Sequence, residues 1–174
     1  MKYKVIKDYI SSGDIIRKRK TVRAYCIFKG KIMVLHLKYN NDKFGPLDYY
    51  ETPGGGVEDG ETIHSALERE LQEEIGSEGK ILSYLGIVGI EYKAYHAIAV
   101  CHMYVFKVTN IFKNNLTDKE KGYNLSVEML DLDEYLDILV SRKNEDSVVG
   151  MIYSRDEYLL KKNYEVVKEF IKKE

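Results

Sequence analysis

Hydrophobic and polar positions along the chain fall into segments of two different periods. From Thr21, the residues Val22, Ala24, Cys26 and Phe28 alternate with others, Lys29, Gly30 and Lys31 make a turn, and 32–37 is a second apolar run. Alternation broken by a short glycine turn predicts a β-hairpin. Residues 40–47 carry Gly45, Pro46 and polar side chains and read as a loop, before a short strand over 48–51 that ends at Pro53. The period then changes: over 61–75 apolar residues recur at helical spacing, and Gly76 stands where a C-cap glycine stands. The stretches 81–95 and 97–108 are rich in Ile, Val, Tyr and Phe, and over 98–106 both alternating faces are apolar, which marks a central strand. A polar loop over 110–123, a short strand near 127–130, a helix over 132–140 capped by Asp131 or Asp133, and a helix over 155–172 complete the pattern. The last helix gathers Leu159, Val166, Val167, Phe170 and Ile171 on one face, as a helix packed on the core would.

At 174 residues the chain has the length of one domain, taken as 1–174 with an N-terminal extension over 1–20 and a C-terminal helix over 154–174. A composition 44% hydrophobic and 32% charged is that of a globular protein. No apolar run approaches the roughly 20 residues that cross a bilayer, and the first ten residues alternate lysines with apolar side chains without a signal-peptide core. No membrane association is expected, and the expected location is the cytoplasm. Cys26 and Cys101 each sit inside an apolar, β-prone run and read as buried hydrophobes. The net charge of -1 predicts no attraction to a nucleic-acid backbone. The local run of Arg17, Lys18, Arg19 and Lys20 lacks neighbouring aromatics and reads as a solvated approach to the first strand rather than a phosphate-binding arm.

Chemistry concentrates in one segment. Gly55, Glu61, Arg69, Glu70, Leu71, Glu73, Glu74 and Gly76 stand at the spacing G-x5-E-x7-R-E-U-x-E-E-x-G, where U is a bulky aliphatic. This resembles the Nudix box; the one departure is Ser77, where that pattern wants an aliphatic residue. At average residue frequencies such a coincidence arises about once in a million chains of this length. The helical geometry is informative by itself. At about 100° per residue, Ile63, Ala66, Leu67 and Leu71 define a buried stripe, and Glu70, Glu73 and Glu74 continue it instead of the solvated side. Clustered, partly buried carboxylates repel one another and require a compensating cation. All-oxygen ligands favour a hard ion, Mg²⁺ first with Mn²⁺ as a substitute.

The resemblance implies an α/β/α sandwich with a mixed sheet, and hydrolysis of a nucleoside diphosphate linked to another group. It assigns Glu70, Glu73 and Glu74, with the Gly54 carbonyl, as metal ligands, and Arg69 as the group that orients Glu73. Glu61 takes a structural role beside Arg69, and Glu120, on a later loop, is the candidate for a further ligand or general base. Tyr92 and Tyr95 lie about where dinucleoside polyphosphate hydrolases carry a tyrosine; they are candidates to stack on a base, the simpler reading being ordinary sheet residues. With Pro46 and Pro53 the only prolines, the marks of ADP-ribose and NADH hydrolases are absent, as is the coenzyme A signature. None of the four histidines has ligand-like spacing. Three readings follow: a diphosphatase acting on a nucleotide-like small molecule, a non-catalytic nucleotide sensor, and an isoprenoid diphosphate isomerase that would need a cysteine near the metal. Family members are often dimers, so a homodimer is expected as possible.

Overall fold

The computed structural model describes residues 3–116 and 121–174. Among these, β1 (Lys4–Ile6), β2 (Arg17–Phe28), β3 (Lys31–Asn41), β4 (Gly45–Glu51), β5 (Gly54–Gly56), β6 (Ser77–Tyr92), β7 (Ala97–Ile111) and β8 (Ser126–Leu130) form one mixed sheet. Its order is β1-β6-β7-β2-β3-β4, with β5 added to β2 and β8 to β3. The helices are α1 (Ile63–Ile75), α2 (Leu132–Arg142), α3 (Val148–Lys162) and α4 (Tyr164–Lys172). α1 packs on one side of the sheet against β2 and β6, α3 on the other against β4 and β6, with α2 lying on α3. This is the α/β/α sandwich expected. β7, apolar on both faces, lies between β6 and β2. No helix among the described residues is long and apolar enough to cross a membrane.

Boundaries differ from the pattern-based expectation, and three of the differences shape the site; apart from these, β1 lies within the expected N-terminal extension and β6 runs Ser77–Tyr92 instead of over 81–95. β2 starts at Arg17 instead of Thr21, because β7 gives it a parallel partner from Arg17↔Ala97 to Ile27↔Lys107; cations on an exposed strand leave no hydrophobic alternation to read. The loop expected over 40–47 is mostly strand: β3 and β4 stay paired to Asn41↔Gly45. Asn41 Oδ1 accepts the N–H groups of Lys43 and Phe44 to close the turn, and Pro46 is tolerated because β4 is an edge strand. The C-terminal helix is two helices that meet at Asn163. α3 begins well before residue 155, at a cap where Ser147 Oγ accepts the Gly150 N–H at 3.1 Å. Its first turns are buried nearly all round, through Val148, Val149, Met151, Ile152 and Tyr153, so they show no amphipathic period.

One feature of the sheet creates a cleft. Thr21, Val22 and Arg23 of β2 pair with the three glycines of β5, whereas Cys26, Ile27 and Phe28 pair with β3. β3 then leaves β2, pairing with β8 as far as His36↔Ser126 and with β4 from Leu35↔Glu51 to Asn41↔Gly45. Between the first half of β2 and the β3–β4 hairpin a cavity of about 700 Å³ opens.

Candidate active site

α1 is positioned from both ends. Thr62 caps its start, exchanging hydrogen bonds with Ser65, and Gly76, in the left-handed region at φ 58°, ends it by donating its N–H to Gln72 O and Leu71 O. Ala66, Leu67, Leu71 and Ile75 are buried, each large aliphatic contributing about 1.5–3 kcal/mol of stabilisation. That anchoring turns the glutamates inward: Glu70 and Glu74 are 7% and 8% exposed. Ser77, the one departure from the box, is buried with its hydroxyl 3.5 Å from Leu71 O.

Arg69 is the hub of the carboxylate cluster. Its Nε and Nη2 hold both oxygens of Glu61 at 3.0 and 3.1 Å, and Nη1 reaches Glu70 at 2.9 Å and Glu73 at 3.1 Å. Nη2 also donates to the Gly56 carbonyl at 2.9 Å, tying the glycine turn to the helix. Hydrogen bonding to Arg69 holds Glu61 below the usual carboxylate range. Glu74 accepts the Gly54 N–H at 2.7 Å. The glycines are required by contact distance: a Cβ on Gly54, at φ 132°, would lie 2.1 Å from Val22 O, and one on Gly55 would lie 2.5 Å from the Glu70 carboxylate.

Burial pushes the Glu74 carboxyl well above its usual range, against the opposing pull of Arg23 and the Gly54 N–H, and raises Glu70 against the pull of Arg69. Both are carboxylates short of positive charge. Glu70, Glu73 and Glu74 each keep one oxygen without a protein partner among the described residues. No three acidic, histidine or cysteine side chains among those residues are already drawn together as a cage. The donor set is nevertheless all hard oxygen, so it fits a divalent cation of the Mg²⁺ kind.

The cavity adjoins this cluster at Gly55 and Gly56. Arg17, Arg19, Thr21 and Arg23, alternate residues on one face of β2, form one wall. Tyr39, Leu47 and Tyr49 from β3 and β4 form another, and Val148, Ile152 and Arg155, spaced by four and three along α3, a third. Among the described residues neither Arg17 nor Arg19 has an ion-pair partner, and Arg19 Nη2 lies close to Gly56. Tyr92 and Tyr95 both line this cavity, while Tyr84 faces away and stacks near Tyr104 and His102.

The structure thus brings Gly54, Glu61, Arg69, Glu70, Glu73 and Glu74 together and sets Tyr92 and Tyr95 along the adjoining cavity. Glu120 lies outside the described residues. The histidines pair elsewhere: His36 with Asp48 and Glu128, His64 with the Tyr104 ring, His96 with Asp14 O. Cys26 and Cys101 are fully buried, and burial raises both thiols. Sequence reading missed Arg17, Arg19, Arg23, Glu51 and Arg155 as lining residues. Instead of a solvated approach, Arg17 and Arg19 belong to a strand and a cavity wall; their spacing of two from each other and from Thr21 was the available signal. No local signal marks Glu51 or Arg155, which meet only in the folded chain.

A capped helix that turns three glutamates toward a glycine turn, itself bordering a cleft in an α/β/α sandwich, defines a Nudix-type site. The model of the NUDIX domain matches residues 17–149, and the chain belongs to that family. Over 72 residues the chain is 40% identical to an 8-oxo-dGTP diphosphatase from Proteus vulgaris, a match that spans 41% of this chain and 60% of that protein. Among solved structures, a NUDIX hydrolase from Nitrosomonas europaea superposes with a TM-score of 0.61 at 18% identity, covering 83% of this chain and 90% of that one. A MutT protein from Methanosarcina mazei Go1 gives 0.61 at 19% identity, with 86% and 96% covered. At these identities the structures establish a shared fold.

Proposed function

We propose that this protein is a Mg²⁺-dependent hydrolase that cleaves the diphosphate linkage of a nucleoside diphosphate joined to another group, with nucleoside triphosphates as the leading substrates and dinucleoside polyphosphates as the alternative. One observation carries the reading: three glutamates, each with an oxygen free of protein partners among the described residues, gather behind the glycine turn that borders a cavity of about 700 Å³, and two arginines of its wall have no ion-pair partner among those residues. The likeness to an 8-oxo-dGTP diphosphatase supports the nucleotide class.

Glu70, Glu73 and Glu74, with the Gly54 carbonyl, would hold Mg²⁺, which neutralises phosphate charge and lowers the pKa of water. Arg69 fixes the rotamers of Glu70 and Glu73 while Glu61 fixes Arg69. Arg17 and Arg19 are placed to bind phosphate oxygens that enter past Gly56. The tyrosine-lined part of the cavity receives the rest of the nucleotide, Tyr92 and Tyr95 offering ring surface. Glu120 remains the proposed extra ligand or proton acceptor.

The test is release of phosphate or pyrophosphate from nucleoside triphosphates, dinucleoside polyphosphates, nucleotide sugars and ADP-ribose, with and without Mg²⁺, beside Glu73→Gln. Mg²⁺-dependent turnover of one class, lost in the variant, is the expected result. Silence across the panel with nucleotide binding retained would replace the hydrolase by a sensor.

A further inference from the structure

Resting on the nucleotide reading above, we propose that Arg155 and Glu51 select the base, by reading a lactam edge, a ring N–H beside a carbonyl. Both line the cavity, and both are buried, at 3% and 6% exposure. Arg155 Nε donates to Asp156 Oδ1 at 2.7 Å and Nη2 to Glu51 Oε1 at 3.0 Å. Arg23 Nη2 lies 2.8 Å from the same Glu51 oxygen. Two cations therefore share Oε1, and among the described residues Glu51 Oε2 and Arg155 Nη1 have no partner. Neither is among the sealed atoms that lack a partner, Arg23 Nε being the one such atom among the described residues, so an acceptor and a donor on two adjoining side chains stay open in the wall of a cavity.

The pair is held rigidly. Asp156, fully buried, takes Oδ2 hydrogen bonds from Tyr135 at 3.1 Å and Thr52 at 3.3 Å, and its carbonyl accepts from Tyr25 at 2.9 Å. A guanidinium only donates and a carboxylate only accepts, so this wall cannot adapt by proton rearrangement. A carbonyl set on Nη1 with its neighbouring N–H set on Oε2 satisfies both. An adenine or cytosine in the same pose turns amine hydrogens toward the guanidinium and a lone pair toward the carboxylate. The pose is tethered, because the phosphates of the same ligand are held at the Gly56 end. Apolar Leu47 and Ile152 line the same cavity and offer a mismatched base no alternative hydrogen-bond partner.

Isothermal titration of the whole protein with nucleoside monophosphates tests this without turnover. Guanine and hypoxanthine nucleotides should bind at least about tenfold more tightly than adenine; N1-methylguanine, which keeps the carbonyl but lacks the N–H, and 2-aminopurine, which lacks both, should each lose at least about tenfold. Arg155→Lys keeps a cation beside Asp156 and removes the free Nη1; with the parent's melting temperature it should level the series. Equal affinities across the bases, or a preference untouched in a folded Arg155→Lys, would overturn the proposal. Should that variant fail to fold, the ligand-side deletions on the parent decide. Parallel triphosphate turnover separates the two readings: base-selective binding without Mg²⁺-dependent hydrolysis defeats the hydrolase alone, and hydrolysis without base selection defeats the reading pair alone.

Discussion

Arg69 and Arg155 each gather carboxylates near the same cavity, but the two hubs are built for opposite ends. The Arg69 side chain is 27% exposed, and Glu70 and Glu73 keep oxygens that can exchange partners. Arg155 is 3% exposed, and Asp156 beside it is sealed under tyrosines and a threonine. Solvent-accessible charge can be handed from a guanidinium to an arriving cation at modest cost. Charge held on a buried side chain cannot, since removing one partner leaves the other under-compensated where solvent screens it poorly. The first arrangement suits chemistry that changes partners, the second suits a shape that must not change.

That contrast predicts different failures. Glu73→Gln should reduce Mg²⁺-dependent turnover by at least about 100-fold while leaving the melting temperature near that of the parent, measured by phosphate release and thermal denaturation. Asp156→Ala should do the reverse: it leaves Arg155 and Arg23 to share the single charge of Glu51 and should cost about 3–5 kcal/mol in urea unfolding. An unfolding midpoint equal to the parent's would show that the inner hub carries no structural load. Arg19→Gln, at the rim between the two, should raise KM by about tenfold with kcat nearly kept, because its charge binds phosphate alike before and during reaction. A fall in kcat instead would move Arg19 into the reacting centre.

The smallest effect concerns the far side of the sheet. Burial, with Lys20 and Lys18 nearby, lowers the pKa of His102 below its ordinary 6.5. The folded state then binds fewer protons than the unfolded chain between the two values, so this contribution to stability is present above the ordinary value and lost as pH falls through the folded one. Melting temperature against pH should slope less steeply in His102→Gln over that window, with no change at pH 8.

The two hubs also differ in how far they could be read from the chain. Arg69, its glutamates and Gly56 lie within a short continuous segment, so helical angles alone brought Glu70, Glu73 and Glu74 to the buried side. The central strand and the box helix were legible for the same reason, since a period is a local property. Arg155, Glu51 and Arg23 come from α3, β4 and β2, and nothing in their neighbours announces that they meet. The first turns of α3 hid themselves by being apolar on every side, and the start of β2 by being cationic on every side. Pairing with β7 and burial against the sheet decide these elements, and both are long-range.

The cavity also carries its own optical reporter. The chain has 15 tyrosines and no tryptophan, and Tyr39, Tyr49, Tyr92, Tyr95 and Tyr123 all border the space where a ligand would sit. With no indole to overwhelm them, their absorbance and emission respond directly to whatever enters. Occupancy can therefore be followed in the unlabelled protein, on the native chain, and in real time.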